Sequence, residues 1–280
     1  DRPPLPNSEL FELDIAYSGV SRKDKLQSLR AALAGRAFLV TALDEIAWLL
    51  NLRGSDVEFN PVFYAWLLIE EKQATLCCDN PMPQNVHDAL TADSIILRPY
   101  ADITELLDRE TLTVHCDCAL LPAQLGQYAV DLASPITLQK AIKNTTELTN
   151  LQQAMLKDAR ALQAFYRWLK NESEQRTLSE WDCVEQLGTY RAQQGNYIGP
   201  SFAAIVGSRQ NGAIVHYHPT AEQCDPVAPG VLLIDSGGQY LEGTTDITRT
   251  ICIGEPTPEQ RTHYTLVLQG LIALSEAEFP

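Results

Sequence analysis

No apolar run in the 280 residues approaches the ~18 needed to cross a bilayer, and the longest are short stretches such as Val62 to Ile69. The opening Asp1-Arg-Pro-Pro has no basic-then-apolar signal layout. Such a chain is expected in the cytoplasm, with no membrane partner. Basic charge is also short: 21 Lys and Arg against 36 Asp and Glu give a net charge of −15. A surface of that sign repels polyanions, which argues against nucleic acid as a partner. The seven cysteines, placed as Cys77-Cys78, Cys116-Asp-Cys118, Cys183, Cys224 and Cys252, offer neither a disulfide framework nor the C-x-x-C pairs of a zinc ribbon. They read as reduced packing residues, with a metal clip at Cys116-Asp-Cys118 as the minor alternative. Internal repeats and low-complexity tracts are absent. What is present is 45% hydrophobic content and enough length for two ordinary domains.

Strand-like and helix-like segments alternate up to about Ala133. Ser21 caps a predicted helix to Ala34, Ala37 to Val40 reads as a strand, and further short elements follow through Leu112 to His115. This describes an α/β domain over residues 1–133. From Ser134-Pro135 the texture changes. Thr145 or Thr146 is a cap for a long helix with Leu148, Leu151, Met155, Ala159, Leu162, Phe165 and Leu169 on one side. A second helix starts at Ser179 and stops before Gly195, strands dominate from Phe202, and Pro256 or Pro258 opens a last helix. Residues 134–280 thus read as an α+β half-domain. The four tryptophans fall among aliphatics and read as core, and Arg53 with Asp56 reads as an internal ion pair fixing a loop.

Chemistry concentrates near residue 235. Val231 to Ile234 is an apolar run of strand length, expected to be covered on both faces, and Asp235 closes it. An ionised carboxylate there needs a cation, an Arg or several donors. After a turn at Glu242-Gly243, Thr244, Asp246, Thr248 and Thr250 are expected to share one face of a strand. Two carboxylates on neighbouring strands suit a hard divalent cation such as Mn²⁺ or Mg²⁺. The plainer alternative is a hairpin with a solvent-facing Asp and an Asp-Arg pair to Arg249. Ile214, His216 and His218 are expected on one face of another strand, which would let two imidazoles enter one cleft, or else serve as hydrogen-bonded structural groups.

The run Asp235-Ser-Gly-Gly-Gln-Tyr, with Gly243-Thr-Thr-Asp246-Ile-Thr-Arg-Thr, resembles the first two metal ligands of the aminopeptidase P (Xaa-Pro aminopeptidase) family of pita-bread metallopeptidases. Thr41-Ala-Leu-Asp-Glu-Ile-Ala-Trp-Leu-Leu-Asn-Leu-Arg-Gly-Ser-Asp56 with Asn60-Pro-Val-Phe63 resembles the middle domain of its long, three-domain members, and Asn211-Gly-Ala-Ile-Val-His216-Tyr217 their active-site histidine segment. The resemblance implies a creatinase N-terminal-like α/β middle domain followed by the first α+β half of a pita-bread fold. It implies two divalent ions, commonly manganese, held by two aspartates, one histidine and two glutamates. On that footing Asp235 chelates one ion, Asp246 bridges both, Thr248 supports them, and His216 contacts the substrate, a peptide with proline at its second position. Members are often homodimers.

The chain departs from the family after Asp246, where it offers no matching histidine or glutamates before Pro280. The expectation is therefore an excised, truncated piece, lacking three of the five ligands and inactive alone. Two other readings stand beside it: a pita-bread pseudoenzyme acting as a binding module, which would be expected to lose the aspartates, and a prolidase-like dipeptidase, which would not carry the Thr41 to Phe63 segment.

Overall fold

A computed structural model describes residues 3–109 and 112–279; Asp1, Arg2, Glu110, Thr111 and Pro280 lie outside the described residues. The chain divides into two compact units. One takes the chain up to Gln152 together with Leu241–Gly243, and the other takes Gln153–Tyr240 and Thr244 onward.

The first unit is built around a mixed sheet. Its strands are β1 (Ala37–Val40), β2 (Trp66–Ile69), β3 (Ala74–Cys77), β4 (Ile95–Arg98), β5 (Val114–Cys116) and β6 (Ala129–Asp131), in the order β4-β3-β2-β1-β5-β6. The central strands are apolar because both faces are covered: every residue of β1 and β3 is buried. Helix α1 (Arg22–Leu33) is capped by the Ser21 hydroxyl and buries Leu26, Leu29 and Leu33. Helix α2 (Leu43–Leu50) buries Ile46, Leu49 and Leu50 in the same core. Buried Glu45 on α2 accepts hydrogen bonds from Ser134 at 2.7 Å and Thr137 at 2.6 Å, and Lys140 pairs with Asp44. Helix α3 (Pro135–Ala141) is held there, so Ser134 to Gln152 pack with this unit.

The expected Arg53–Asp56 pair does not form. Asp56 is satisfied by the Ser8 and Tyr64 amides and by Asn80, while Arg53 donates to the Ala47 and Leu52 carbonyls. Loop backbone groups claimed both side chains first. Trp48, Trp66 and Trp168 are half-buried and pack against apolar clusters.

The second unit takes the long helix α4 (Thr145–Ser173) from Gln153 onward together with α5 (Glu180–Ala192), beside two three-stranded sheets. These sheets contain β7 (Tyr197–Pro200), β8 (Ile205–Ser208), β9 (Gly230–Ser236), β10 (Gly238–Tyr240), β11 (Gly243–Thr244) and β12 (Ile247–Ile253), ordered β8-β9-β12 and β11-β10-β7. The cap of α4 is Asn144 rather than a threonine: its Oδ1 accepts from the Glu147 amide, and Glu147 returns the bond to the Asn144 amide, both at 2.9 Å. Leu148 and Met155 are exposed, and the buried face runs Ala154, Asp158, Ala161, Phe165, Leu169. The last helix, α6 (Pro258–Ser275), is capped by Thr257 and buries none of its residues. Among the described residues no helix is long and apolar enough to cross a membrane.

All seven cysteines are free. Burial pushes the Cys77, Cys116 and Cys183 thiols up to about 12 and that of Cys78 up to about 11. Because these folded values exceed the ordinary thiol value of 9.0, their contribution to stability is complete below it and is lost as pH rises toward 12. Measured by urea unfolding, the stability gap between the native chain and Cys183→Ala should be constant near neutrality and narrow by pH about 11. A gap independent of pH would contradict this.

Candidate metal centre

Strand β9 alternates rather than being covered twice: Leu232, Ile234 and Ser236 are buried, while Val231, Leu233 and Asp235 are half-buried. Asp235 therefore projects from the less covered face. Its cross-strand partner is Thr248, and the Thr248 hydroxyl donates to Asp235 Oδ1 at 2.8 Å. Side chains directly opposite in an antiparallel ladder share a face, so the register itself brings these two together.

The run from Thr244 to Ile253 is not one strand. Thr244 belongs to β11 in one sheet, β12 starts at Ile247 in the other, and Thr245-Asp246 connects them. The partner chain segment breaks at the same level, between β9 and β10, at Gly237. There the two segments press together: a Cβ on Gly237 would stand 2.0 Å from the Thr245 carbonyl oxygen and 2.1 Å from Ser201 Oγ. Reciprocal bonds between Gly238 and Thr245, at 2.9 Å, lock the crossing. Asp246 follows immediately, exposed and two residues from Thr248. Among the described residues neither aspartate is paired with an arginine; Arg249 instead donates to the Thr248 carbonyl at 2.7 Å.

His216 is not on a strand. Residues Arg209–Ala213 form a 3₁₀ turn, and His216 follows in a tight turn closed by the Tyr217 amide donating to the Ile214 carbonyl at 3.2 Å. Its φ is 57°, so the shared strand face expected for Ile214, His216 and His218 does not exist. The imidazole is exposed, and among the described residues it makes no hydrogen bond to Asp235 or Asp246.

Two buried carboxylates support this region, and sequence reasoning missed both. Asp158 on α4 is 0% exposed and forms a two-point ion pair with Arg191 on α5, at 2.6 and 3.1 Å. The same guanidinium donates to Ser236, the residue after Asp235, and the Tyr240 hydroxyl donates to Asp158, each at 3.1 Å. Burial is the main reason the Tyr240 hydroxyl is pushed above its ordinary value, with Asp158 adding to it. Glu180, also 0% exposed, anchors the His216 turn through Tyr217 and Asn211. The available signal was an acid inside the apolar stripe of each helix, matched by Arg191 in one case and by Asn211 in the other.

Two carboxylates with a hydroxyl at one end of a sheet suit a hard divalent cation. They do not complete a coordination shell: among the described residues no three His, Cys, Asp or Glu side chains gather as a metal-holding cluster. The donors fit one side of such a site.

Residues 1–147 match the Creatinase/Prolidase N-terminal domain family, and residues 149–280 match Metallopeptidase family M24. A probable Xaa-Pro aminopeptidase P of Neurospora crassa is 38% identical over 303 residues, covering 100% of this chain and 44% of the relative. Aminopeptidase P2 of Arabidopsis thaliana is 39% identical over 322 residues, covering 100% of this chain and 45% of its own length. The chain thus spans about half the length of these relatives. A solved X-prolyl aminopeptidase from Caenorhabditis elegans, described as a cytosolic enzyme with a di-nuclear active site, superposes with a TM-score of 0.88 at 29% identity, over 100% of this chain and 49% of that one. A Bacillus anthracis Xaa-Pro dipeptidase shares the fold, with a TM-score of 0.68 at 18% identity over 89% of this chain and 69% of its own. The chain belongs to the creatinase/prolidase family, with a creatinase/prolidase-type N-terminal domain followed by part of an M24 pita-bread domain, and it is similar over its whole length to proteins named Xaa-Pro aminopeptidases.

Proposed function

We propose that this chain is part of a metal-dependent aminopeptidase that releases the first residue from peptides carrying proline second. The observation that carries the reading is the Asp235–Thr248 hydrogen bond, which orients a carboxylate that among the described residues no arginine neutralises, on the strand pair whose second strand opens immediately after the exposed Asp246. The relatives' names supply the reaction class. In this reading residues 1–147 serve as middle domain, a boundary later than the expected 133 because Ser134 to Gln152 pack with the first unit, and residues 149–280 serve as the first half of the catalytic domain, in a cytoplasmic homodimer.

Asp235 and Asp246 would hold two divalent ions, Mn²⁺ in the cell, with Thr248 fixing one oxygen of Asp235 so that the other faces the cation. When bound, such ions lower the pKa of a water and polarise the scissile carbonyl. His216 would contact the substrate beside the scissile bond. Two carboxylates leave the shell open, so the 280-residue chain alone neither holds two ions tightly nor turns over peptide.

Titration of the chain with Mn²⁺, followed by electron paramagnetic resonance, tests the assignment. Asp235→Asn and Asp246→Asn should each weaken binding about tenfold or more, and Thr248→Val about tenfold. Affinity unchanged in all three variants would remove the site. Release of the N-terminal residue from a proline-second peptide by the chain alone would overturn its inactivity.

A further inference from the structure

Helix α5 opens with a reciprocal cap between Ser179 and Asp182, yet its first residue, Glu180, turns inward and is 0% exposed. Its carboxylate gathers three separate segments. Oε1 accepts from the Ser208 amide at 2.7 Å and from Asn211 Nδ2 at 3.0 Å. Oε2 accepts from the Tyr217 hydroxyl at 2.6 Å and from the Asp225 amide at 2.9 Å. Asn211 also reaches Asp225 Oδ2 at 3.0 Å.

The 3₁₀ turn at the start of the segment packs against Gly207 and Leu233, but the residues beyond it have little apolar cover. Ala213, Ile214, Val215 and His216 are all exposed, so no apolar core fixes their backbone. Two of its non-glycine residues, Arg209 and His216, nevertheless sit at positive φ, 53° and 57°. Such conformations cost free energy and persist only where surrounding contacts over-determine them. At Arg209 the contacts include a bond from its guanidinium to the Pro229 carbonyl and the packing of Gly212 on Gly207, and the bonds to Glu180 frame both residues: Ser208 immediately precedes Arg209, Asn211 lies between the two, and Tyr217 immediately follows His216.

We propose that Glu180 is a positioning residue for His216, its buried carboxylate setting, through Tyr217 and Asn211, the turn that presents the imidazole. The inference rests on the reading of His216 as a substrate contact and adds to it the group that fixes where that contact stands. Carboxylate chemistry is required. Each oxygen holds a backbone N–H, so an amide in either orientation points its own donor at one of them and orphans it.

The test is made on the 280-residue chain by amide hydrogen exchange and by the ring resonances of His216. Glu180→Gln and Tyr217→Phe should each speed exchange of the Ile214 and Tyr217 amides about tenfold, and shift the His216 ring signal toward that of free imidazole. The amides of Leu232 to Ile234 should stay as slow as in the native chain. Tyr217→Phe carries the discrimination, because Tyr217 is half-exposed and the variant keeps the other bonds to Glu180. If Tyr217→Phe leaves the turn and ring unchanged while Glu180→Gln speeds all amides together, Glu180 is merely structural and the proposal fails. In a second arm, a proline-second tripeptide is titrated with Mn²⁺ into the native chain. A His216 ring shift supports the substrate contact. No shift, with the turn still released in both variants, removes the contact and leaves the positioning intact.

Discussion

Replacing Arg191 by methionine should lower the unfolding free energy of the chain by about 3–5 kcal/mol, because it strands Asp158 as a buried, unpaired charge. Both partners are essentially sealed from water, at 3% and 0% exposure, so solvent screening does not soften the loss. Methionine keeps the packing of the arginine stem, which confines the effect to the lost charge and its three hydrogen bonds. Asp158→Asn should be comparably damaging, since it leaves the Arg191 charge buried without a counter-ion and turns an amide NH2 donor onto one of the two oxygen positions that accepted from the guanidinium. The diagnostic result is the double variant Asp158→Leu with Arg191→Met, whose cost should fall well short of the sum of the single losses. Urea unfolding followed by circular dichroism measures all of these. Single losses below about 1 kcal/mol would show the pair to be dispensable. Because Arg191 also donates to Ser236, the single variant should weaken Mn²⁺ binding beyond what stability predicts.

Gly237→Ala should be the most disruptive single-methyl change in the second unit. The added carbon would stand 2.0 Å from the Thr245 carbonyl oxygen, which is backbone and cannot rotate away. One of the two segments must then move, and overpacking of this kind costs about 1–3 kcal/mol or more. The displacement falls between Asp235 and Asp246, so it should alter the geometry of the carboxylate pair as well as stability. Amide chemical shifts of Thr245 to Thr248 should move, and Mn²⁺ affinity should drop more than in Gly238→Ala, where the close neighbours are tyrosine rings able to adjust. Combining Gly237→Ala with Ser201→Gly should recover only part of the loss, because it relieves one of two clashes. Native-like stability and unchanged shifts in Gly237→Ala would contradict the close approach on which the junction depends.

Much of the helix framework was legible because its signals are local. Ser21 and Ser179 cap where their position before apolar spacing says they should, and the apolar run Ala37 to Val40 is a fully buried strand. Failures came where a distant group captured a local one. Ile214 to His218 has the alternation of a strand, but Glu180 pulls Asn211 and Tyr217 into a turn. Arg53 and Asp56 have the spacing of an ion pair, but Ser8, Tyr64 and Asn80 claim the carboxylate. Thr244 to Ile253 reads as one strand, but the chain changes sheets at Thr245-Asp246.

By itself the sequence determined the family, through motifs spread over its length, and the presence of two aspartates bounded by glycines. Residue types and short-range order are properties of a linear string, so they survive without a fold. The tertiary structure alone decided that Asp235 faces Thr248, that Gly237 admits no side chain, and that Asp158 and Glu180 lie buried beneath the residues they support. Strand register and the pairing of buried charges are set by which segments meet, and that is settled only when the whole chain packs.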